Sequence, residues 1–192
     1  MESTPTASAD SLRADSARVR ARMLRAARDR ITAGDLDLPM NAVAKAAGVG
    51  VGTVYRHFPT RQVLLESLAA EHFTRLVATA DRAAAAPDVA AGVTDLLRSA
   101  LESQRVDPAL ALVLARPDAA CPETVELGRA LTAAVNRLLE RARAAGVIRP
   151  GITAADIQAL LCGLRRAVEV GGDTTTDRYL DVLVRGLRAD AG

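Results

Sequence analysis

A short segment in the first third of the chain carries small, hydroxylic, cationic and imidazole side chains on one face of a predicted helix. These residues are Gly52, Thr53, Arg56 and His57. The opposite face is apolar and consists of Val51, Val54, Tyr55 and Phe58. Hydroxyl, guanidinium and imidazole groups can donate hydrogen bonds to phosphates and base acceptors, and glycine allows the backbone to come close. The pattern therefore indicates chemistry suited to the DNA major groove.

The same spacing marks another short helix immediately before this segment. Its apolar residues fall at i, i+3, i+4 and i+7, namely Met40, Val43, Ala44 and Ala47. Gly48-Val49-Gly50 then interrupts the pattern, because glycine adopts backbone angles that other residues avoid. Two short helices joined by such a turn form a helix-turn-helix. Periodicity alone equally fits any helical hairpin with a polar outer face, so the residue types carry the DNA-binding interpretation.

The literal sequence of residues 44–58 is more specific than its periodicity. It reads A-x-x-A-G-V-x-x-G-T-x-Y-x-H-F, is followed by Pro59-Thr60-Arg61, and resembles the DNA-binding signature of the TetR family of bacterial regulators. The resemblance extends from about Arg22 to Leu68. It implies an all-α fold of about nine helices, with an N-terminal three-helix head on a C-terminal helical bundle. The chain departs from the family pattern at Pro39 and Gly50, where threonine and serine are usual, and this puts two hydroxyl contacts in doubt.

The motif also suggests which residues would contact DNA. The predicted set is Asn41, Val51, Gly52, Thr53, Tyr55, Arg56, His57 and Arg61. Arg56 is expected to read a base, since arginine can bond guanine with two hydrogen bonds. Thr53, His57 and Arg61 are expected to bind phosphate. The resemblance implies that Tyr55 packs its ring inward and extends its hydroxyl to the DNA backbone.

The distribution of charge supports a nucleic-acid partner. The net charge of the chain is only +2, but residues 11–61 carry ten basic and four acidic side chains. Residues 62–192 carry fifteen basic and seventeen acidic side chains. Attraction to phosphate requires positive charge at the binding surface, and the excess lies with the helix-turn-helix. Arginine is abundant along the whole chain, and a solvated arginine face is the ordinary alternative.

Helical patterns continue to the end of the chain and suggest four regions. We expect a disordered tail over 1–14, the DNA-binding head over 15–60, a linking helix over 61–82, and a ligand-binding and dimerisation body over 83–192. The junction is predicted at AAAAPD, residues 83–88, where the first proline after the linking helix occurs. Aromatic residues make up only 2% of the chain, which favours an aliphatic or amphipathic effector over a stacked aromatic one.

The last two predicted helices carry apolar stripes that could form a four-helix bundle with a second subunit. The predicted interface residues are Ile157, Leu160, Leu161, Leu164, Leu180, Leu183, Val184 and Leu187. A homodimer is expected because one head reads too few base pairs to be specific. The alternative is that these stripes pack inside a single chain.

Other functional classes find little support in the sequence. The chain has two histidines and two cysteines, and neither catalytic motifs nor metal-ligand spacing occurs, so we expect no enzyme activity, cofactor or metal. No apolar run approaches the roughly 20 residues of a membrane span, and the start does not resemble a signal peptide, so a cytoplasmic location is expected. The resemblance implies a repressor that binds a palindromic operator as a homodimer and is released by a small molecule. The alternative is a helical protein-interaction module without specific DNA binding, which leaves the residues of the motif and the charge division unexplained.

Overall fold

The computed structural model describes residues 8–116 and 118–189, and these form nine α-helices and no strand, as the all-α prediction required. The first four helices are α1 (Ser8–Thr32), α2 (Met40–Ala47), α3 (Val51–His57) and α4 (Arg61–Ala85). The other five are α5 (Val89–Val106), α6 (Pro108–Leu114), α7 (Pro122–Ala144), α8 (Ala154–Gly171) and α9 (Thr176–Leu187). A short 3-10 turn, Asp173–Thr175, precedes α9.

The chain divides into two compact units, Met1–Leu68 and Ala69–Gly192. The division falls within α4 and not at the predicted junction over 83–88, because this helix continues to Ala85. Alanine is the strongest helix former, so the alanine run extends α4 to Ala85, two residues before Pro87. The first two turns of α4 thus belong to the first unit, and the remainder belongs to the second.

Helix α1 begins earlier than the sequence predicted. The predicted tail covered residues 1–14, but residues 8–14 are helical, and the rest of the predicted tail, residues 1–7, lies outside the described part of the chain. Neither proline nor glycine occurs between Ser8 and Ala33, so nothing in that stretch interrupts the helix. The earlier start does not alter the buried side of α1, which includes Met23, Ala27 and Ile31.

The first unit has a compact core to which every helix contributes. Its most deeply buried side chains are Met23, Leu38, Val43, Val54, Phe58, Leu64 and Leu65. Leu38 lies in the loop between α1 and α2 and adopts a left-handed φ of 47°, a conformation that normally favours glycine. Its side chain is fully buried, and its backbone N–H donates to Asp35 Oδ1 at 3.3 Å. Burial of the leucine offsets the backbone strain at this position.

The second unit is a bundle of α5–α9 with the later part of α4. Asp88, Asp107 and Thr153 accept hydrogen bonds from backbone N–H groups at the starts of α5, α6 and α8. Near the end of α9 the chain pairs with the connection between α7 and α8, where Arg149 N donates to Leu187 O at 3.0 Å. These caps and pairings fix where each helix of the bundle begins or ends.

Candidate nucleic-acid interface

The turn between α2 and α3 has the geometry that its glycines predict. Gly48 adopts a left-handed φ of 65°, and its N–H and that of Val49 turn back to α2, with Val49 N donating to Ala44 O at 3.0 Å. Gly50 then precedes α3 in an extended conformation. No side-chain hydrogen bond caps α2 at Pro39 or α3 at Gly50. A threonine or serine hydroxyl at these positions could cap the helix, and proline and glycine have no such group.

Helix α3 buries a narrower face than its periodicity suggested. Val54 and Phe58 are 0% exposed, whereas Val51 and Tyr55 are 46% and 48% exposed. The prediction that Tyr55 packs its ring inward is therefore wrong for this structure. The core contacts this segment at Val54 and, four residues later, at Phe58 just after the helix, while Thr53 and His57 are half-buried and the other residues of α3 are exposed.

Phe58 lies against Arg20 of α1, which in turn contacts the first turns of α4. The guanidinium of Arg20 lies 5.1 Å from the centre of the Phe58 ring and donates a hydrogen bond to Ser67 Oγ at 3.1 Å. Arg28 donates to the backbone oxygen of Leu68 at 3.0 Å. The His57 ring, half-buried, lies 6.3 Å from that of Phe58. The Arg20 contact thus joins the end of α3 to α1, the other two hydrogen bonds join α1 to α4, and Gly52, Tyr55 and Arg56 of α3 remain exposed.

Arg56 and Thr53 lie together on this outer face. The Arg56 guanidinium folds back along α3, where it donates to Thr53 Oγ1 at 3.0 Å and to Gly52 O at 3.4 Å. Both contacts are within one exposed helical turn, so each contributes little to stability and is easily exchanged for another acceptor. The structure thus brings together the residues predicted to read a base and to bind phosphate, with a guanidinium that can swing away from the helix.

Arg61 makes contacts within the first unit that the sequence did not predict, and its phosphate contact stays a prediction. Its guanidinium donates to the backbone oxygen of Asp37 at 2.6 Å and also to that of Leu36. It therefore holds the loop between α1 and α2 against the start of α4. Sequence reasoning assigned Arg61 to phosphate because it follows the motif directly. Its partners lie 24 and 25 residues away and could not be read from local spacing.

Two side chains of α2 complete the polar surface. Asn41, predicted to contact DNA, is exposed, and its Oδ1 accepts from Ala42 N at 2.8 Å. Lys45 is exposed one helical turn further along the same face. It has no hydrogen-bond or ion-pair partner within the described residues, and sequence reasoning missed it. The available signal was its uniqueness, since Lys45 is the single lysine of the chain.

The predicted dimer stripe is largely used by the chain itself. Four of its eight residues are buried within the single chain, namely Ile157, Leu161, Leu180 and Leu187. Leu164, Leu183 and Val184 are half-buried, and Leu160 is 42% exposed. The apolar side chains that remain exposed on α8 and α9 are Leu160, Val170 and Val182. An interface on these helices would use this outer set, because the buried four already pack in the core.

A half-open cavity of about 360 Å³ lies within the second unit, in the size range of small-molecule sites. The start of α5, the connection between α7 and α8, and the end of α9 line it. Its apolar floor includes Val93, Ile148 and Leu187, and its rim carries Asp95 and Arg188. Of the helices that the structure describes, none has the length and apolar character to cross a membrane.

Comparison with known proteins matches both parts of the chain to one family. Residues 23–68 match the family described as "Bacterial regulatory proteins, tetR family", and residues 90–189 match "Transcriptional regulator SbtR-like, C-terminal domain". Over 47 residues the chain is 51% identical to the HTH-type transcriptional repressor KstR of Mycolicibacterium smegmatis. That match covers 24% of this chain and 23% of the repressor's length.

Solved structures extend the similarity over nearly the whole chain. The TetR transcription regulatory protein from Mycobacterium vanbaalenii is 34% identical, with 93% of this chain and 99% of that one covered and a TM-score of 0.50. The TetR transcriptional regulator SCO0520 from Streptomyces coelicolor is 28% identical, with 90% and 99% covered and a TM-score of 0.55. The helix-turn-helix, the all-α fold and these matches agree, and the chain belongs to the TetR family of bacterial DNA-binding transcriptional regulators.

Proposed function

We propose that this regulator is a homodimeric repressor that binds a palindromic operator through α3 and leaves it when a small molecule binds the second unit. The observation that carries the proposal is the outer face of α3. It presents Thr53, Tyr55 and Arg56 around Gly52, while Val54 and Phe58 hold the helix from the other side. A helix with a small residue on its outer face can come close to the bases of the major groove.

Arg56 is the proposed base-reading residue. Its two contacts within α3 are exposed, and exchanging them for two acceptors on a guanine edge adds a bidentate pair. Thr53 Oγ1, which accepts from Arg56 in this structure, keeps its own proton and is proposed to donate it to phosphate. The exposed Tyr55 hydroxyl is proposed to reach the DNA backbone without any inward packing of its ring, and Val51 to touch a thymine methyl group.

Phosphate contacts are proposed for Asn41, Lys45 and His57. Lys45 offers the most direct test, because a reagent that acetylates lysine can modify the chain at this one side chain. Peptide mass mapping would measure acetylation of Lys45 with and without operator DNA. We expect protection in the complex and none with a scrambled duplex at a salt concentration that abolishes non-specific binding. Equal acetylation in all three samples would remove Lys45 from the interface.

Dimerisation is proposed to use the outer apolar side chains of α8 and α9. Leu160→Glu combined with Val182→Glu should give a monomer, since an unpaired charge in an interface leaves its burial cost uncompensated. Val106→Glu is the matched control, because Val106 is 62% exposed at the end of α5 and lies outside the proposed interface. Light scattering over a concentration series distinguishes the variants. A dimer that survives the double substitution would place the interface elsewhere.

Effector control is proposed to act through α4, which is one continuous helix shared by the two units. A ligand that displaces the later part of α4 would move its first turns and change the separation of the two recognition helices. Half-sites lie roughly 34–36 Å apart, so a small change in the separation of the recognition helices prevents one of them from contacting its half-site. Ligand and DNA must then weaken each other by the same factor, because binding linkage is reciprocal.

The experiment that tests the proposed function is a selection from genomic fragments, followed by a footprint and by binding measurements over a salt series. We expect a palindromic footprint and an affinity that falls steeply as salt rises. Binding with no sequence preference, or with no dependence on salt, would favour the alternative of a protein-interaction module.

A further inference from the structure

Gln104, near the end of α5, is buried without a partner for either polar atom of its side chain. The residue is 2% exposed, and neither Oε1 nor Nε2 has a hydrogen bond among the described residues. Leaving a buried donor or acceptor unpaired costs about 1–3 kcal/mol, and such groups are rare in folded proteins. An amide with both of its atoms unpaired is therefore a feature that the fold alone does not account for.

The surroundings of Gln104 are apolar along its own helix. The residues three, four and seven positions earlier share its face, and Leu101, Ala100 and Leu97 are all buried. Leucine at position 104 would continue this stripe without any unpaired atom. The polar amide thus replaces a side chain that would suit the core better.

Polar groups of α4 and α6 lie one helical turn beyond Gln104. Asp107 Oδ1 accepts from Ala109 N at 2.9 Å and from Leu110 N at 3.3 Å, and His72 Nδ1 lies 2.7 Å from Asp107 Oδ2. Asp107 is 3% exposed and the His72 side chain 21%. The region around Asp107 thus contains the imidazole of His72 from α4, and Gln104 lies three residues earlier, on α5.

We propose that Gln104 is the polar anchor of the effector site, and that it takes a small, mostly aliphatic molecule bearing an uncharged cis-amide, as in a lactam. This inference rests on the proposed control by a small molecule. A lactam has a donor and an acceptor side by side and can satisfy both atoms of a primary amide at once. A carboxylate has no donor for Oε1, and an ammonium has no acceptor for Nε2 and brings a charge into an apolar region. None of the buried unpaired atoms belongs to a residue lining the half-open cavity at the other end of α5.

The first test needs no ligand. Gln104→Leu should leave the free protein as stable as the wild type or more stable, because it removes two unpaired polar atoms and keeps the volume of the side chain. The readout is the urea midpoint of the full chain. A marked decrease in that midpoint would mean that Gln104 makes a structural hydrogen bond, and would overturn the proposal.

The second test uses ε-caprolactam, N-methylcaprolactam and cycloheptanone as probes in thermal-shift titrations. We expect caprolactam to raise the melting temperature of the wild type by roughly 3–6 °C at ten times its Kd. N-methylcaprolactam, which lacks the donor, and cycloheptanone should not do so, and Gln104→Leu should lose the response. No response to caprolactam, or an equal response to all three probes or in Gln104→Leu, overturns the proposal. The broader proposal of effector control fails separately, if no compound that binds the protein changes its affinity for the operator.

Discussion

Gly92 is the position where the packing of the second unit can be tested most sharply by one methyl group. A Cβ atom there would lie 2.8 Å from the backbone oxygen of Ala83 and 3.3 Å from the Cβ of Ala86. The Ala83 oxygen also accepts a hydrogen bond from Ala86 N at 3.2 Å. The obstacle is therefore backbone that is already engaged, and it cannot rotate away as a flexible side chain would.

The matched control is Gly128, within α7, where a Cβ atom would have no described atom within 4 Å. Replacing a helical glycine by alanine ordinarily gains roughly 0.5–1 kcal/mol. Forcing an extra methyl group into a packed site costs about 1–3 kcal/mol. Both substitutions gain the same helical propensity. The difference between their free energies of unfolding therefore measures the cost of the close contact at Gly92. Gly128→Ala should stabilise the protein, and Gly92→Ala should be less stable than Gly128→Ala by about 1–3 kcal/mol.

Urea denaturation of both variants and the wild type, at one protein concentration, measures this difference. The concentration must be shared because dimerisation would make the apparent stability depend on it. We expect displaced midpoints with an unchanged dependence of the unfolding free energy on urea. Equal midpoints for the two variants, or a Gly92→Ala protein more stable than the wild type, would refute the close approach of α5 to the Ala83 carbonyl.

Three further substitutions test the contacts that hold the helices. Arg61→Ala should destabilise the DNA-free protein by about 1 kcal/mol, because its guanidinium holds loop carbonyls, and an unchanged urea midpoint would contradict this structural role. Asp88→Ala should cost about 0.5–2 kcal/mol through loss of the cap of α5, whereas Asp88→Asn should retain most of the stability; equal midpoints for the two would contradict the cap. Hydrogen bonds from the hydroxyl and the backbone N–H of Thr153 lower the pKa of Asp156 below its ordinary value. That carboxyl therefore adds stability above its unfolded pKa of about 3.9, and the contribution disappears as pH falls through the lowered pKa. The stability difference between the wild type and Thr153→Ala should accordingly narrow between pH 5 and pH 3, and a constant difference would refute the linkage.

The positions of the helices followed from the sequence because they depend on local signals. Most helices of the structure begin and end at glycine, proline or capping residues, within a few residues of the prediction. The start of α1 and the end of α4 are the exceptions. Both exceptions are extensions through residues with good helical propensity, where no residue interrupts the helix. The burial and the positive φ of Leu38 were not predicted, because the surrounding core determines this conformation and the intrinsic preference of leucine does not.

The orientation of side chains was harder to predict, because it depends on which elements meet. Tyr55 fits an apolar stripe by spacing, but the core reaches only Val54 and Phe58. Arg61 fits the motif, but its partners come from a loop that is distant in sequence. Leu161 fits a dimer seam, but it packs within its own chain. In each case the spacing placed the residue on a helix, while tertiary contacts decided what its side chain touches.

The central claim, that the outer face of α3 reads DNA sequence, is tested most directly by the specificity of Arg56→Ala. Binding to the selected operator would be compared with binding to a set of duplexes, each with one base pair changed in both half-sites. The matched control is Lys45→Ala, since Lys45 is proposed to contact phosphate alone. Fluorescence polarisation at two salt concentrations measures the affinity of each variant for each duplex.

We expect Arg56→Ala to lose discrimination at one position of each half-site, worth about 1–3 kcal/mol, and to keep it elsewhere. Lys45→Ala should weaken binding to all duplexes alike and reduce the dependence on salt. If Arg56→Ala retains the full wild-type preference at every position, or weakens every duplex equally as Lys45→Ala does, then α3 does not read sequence through Arg56 and the account is contradicted.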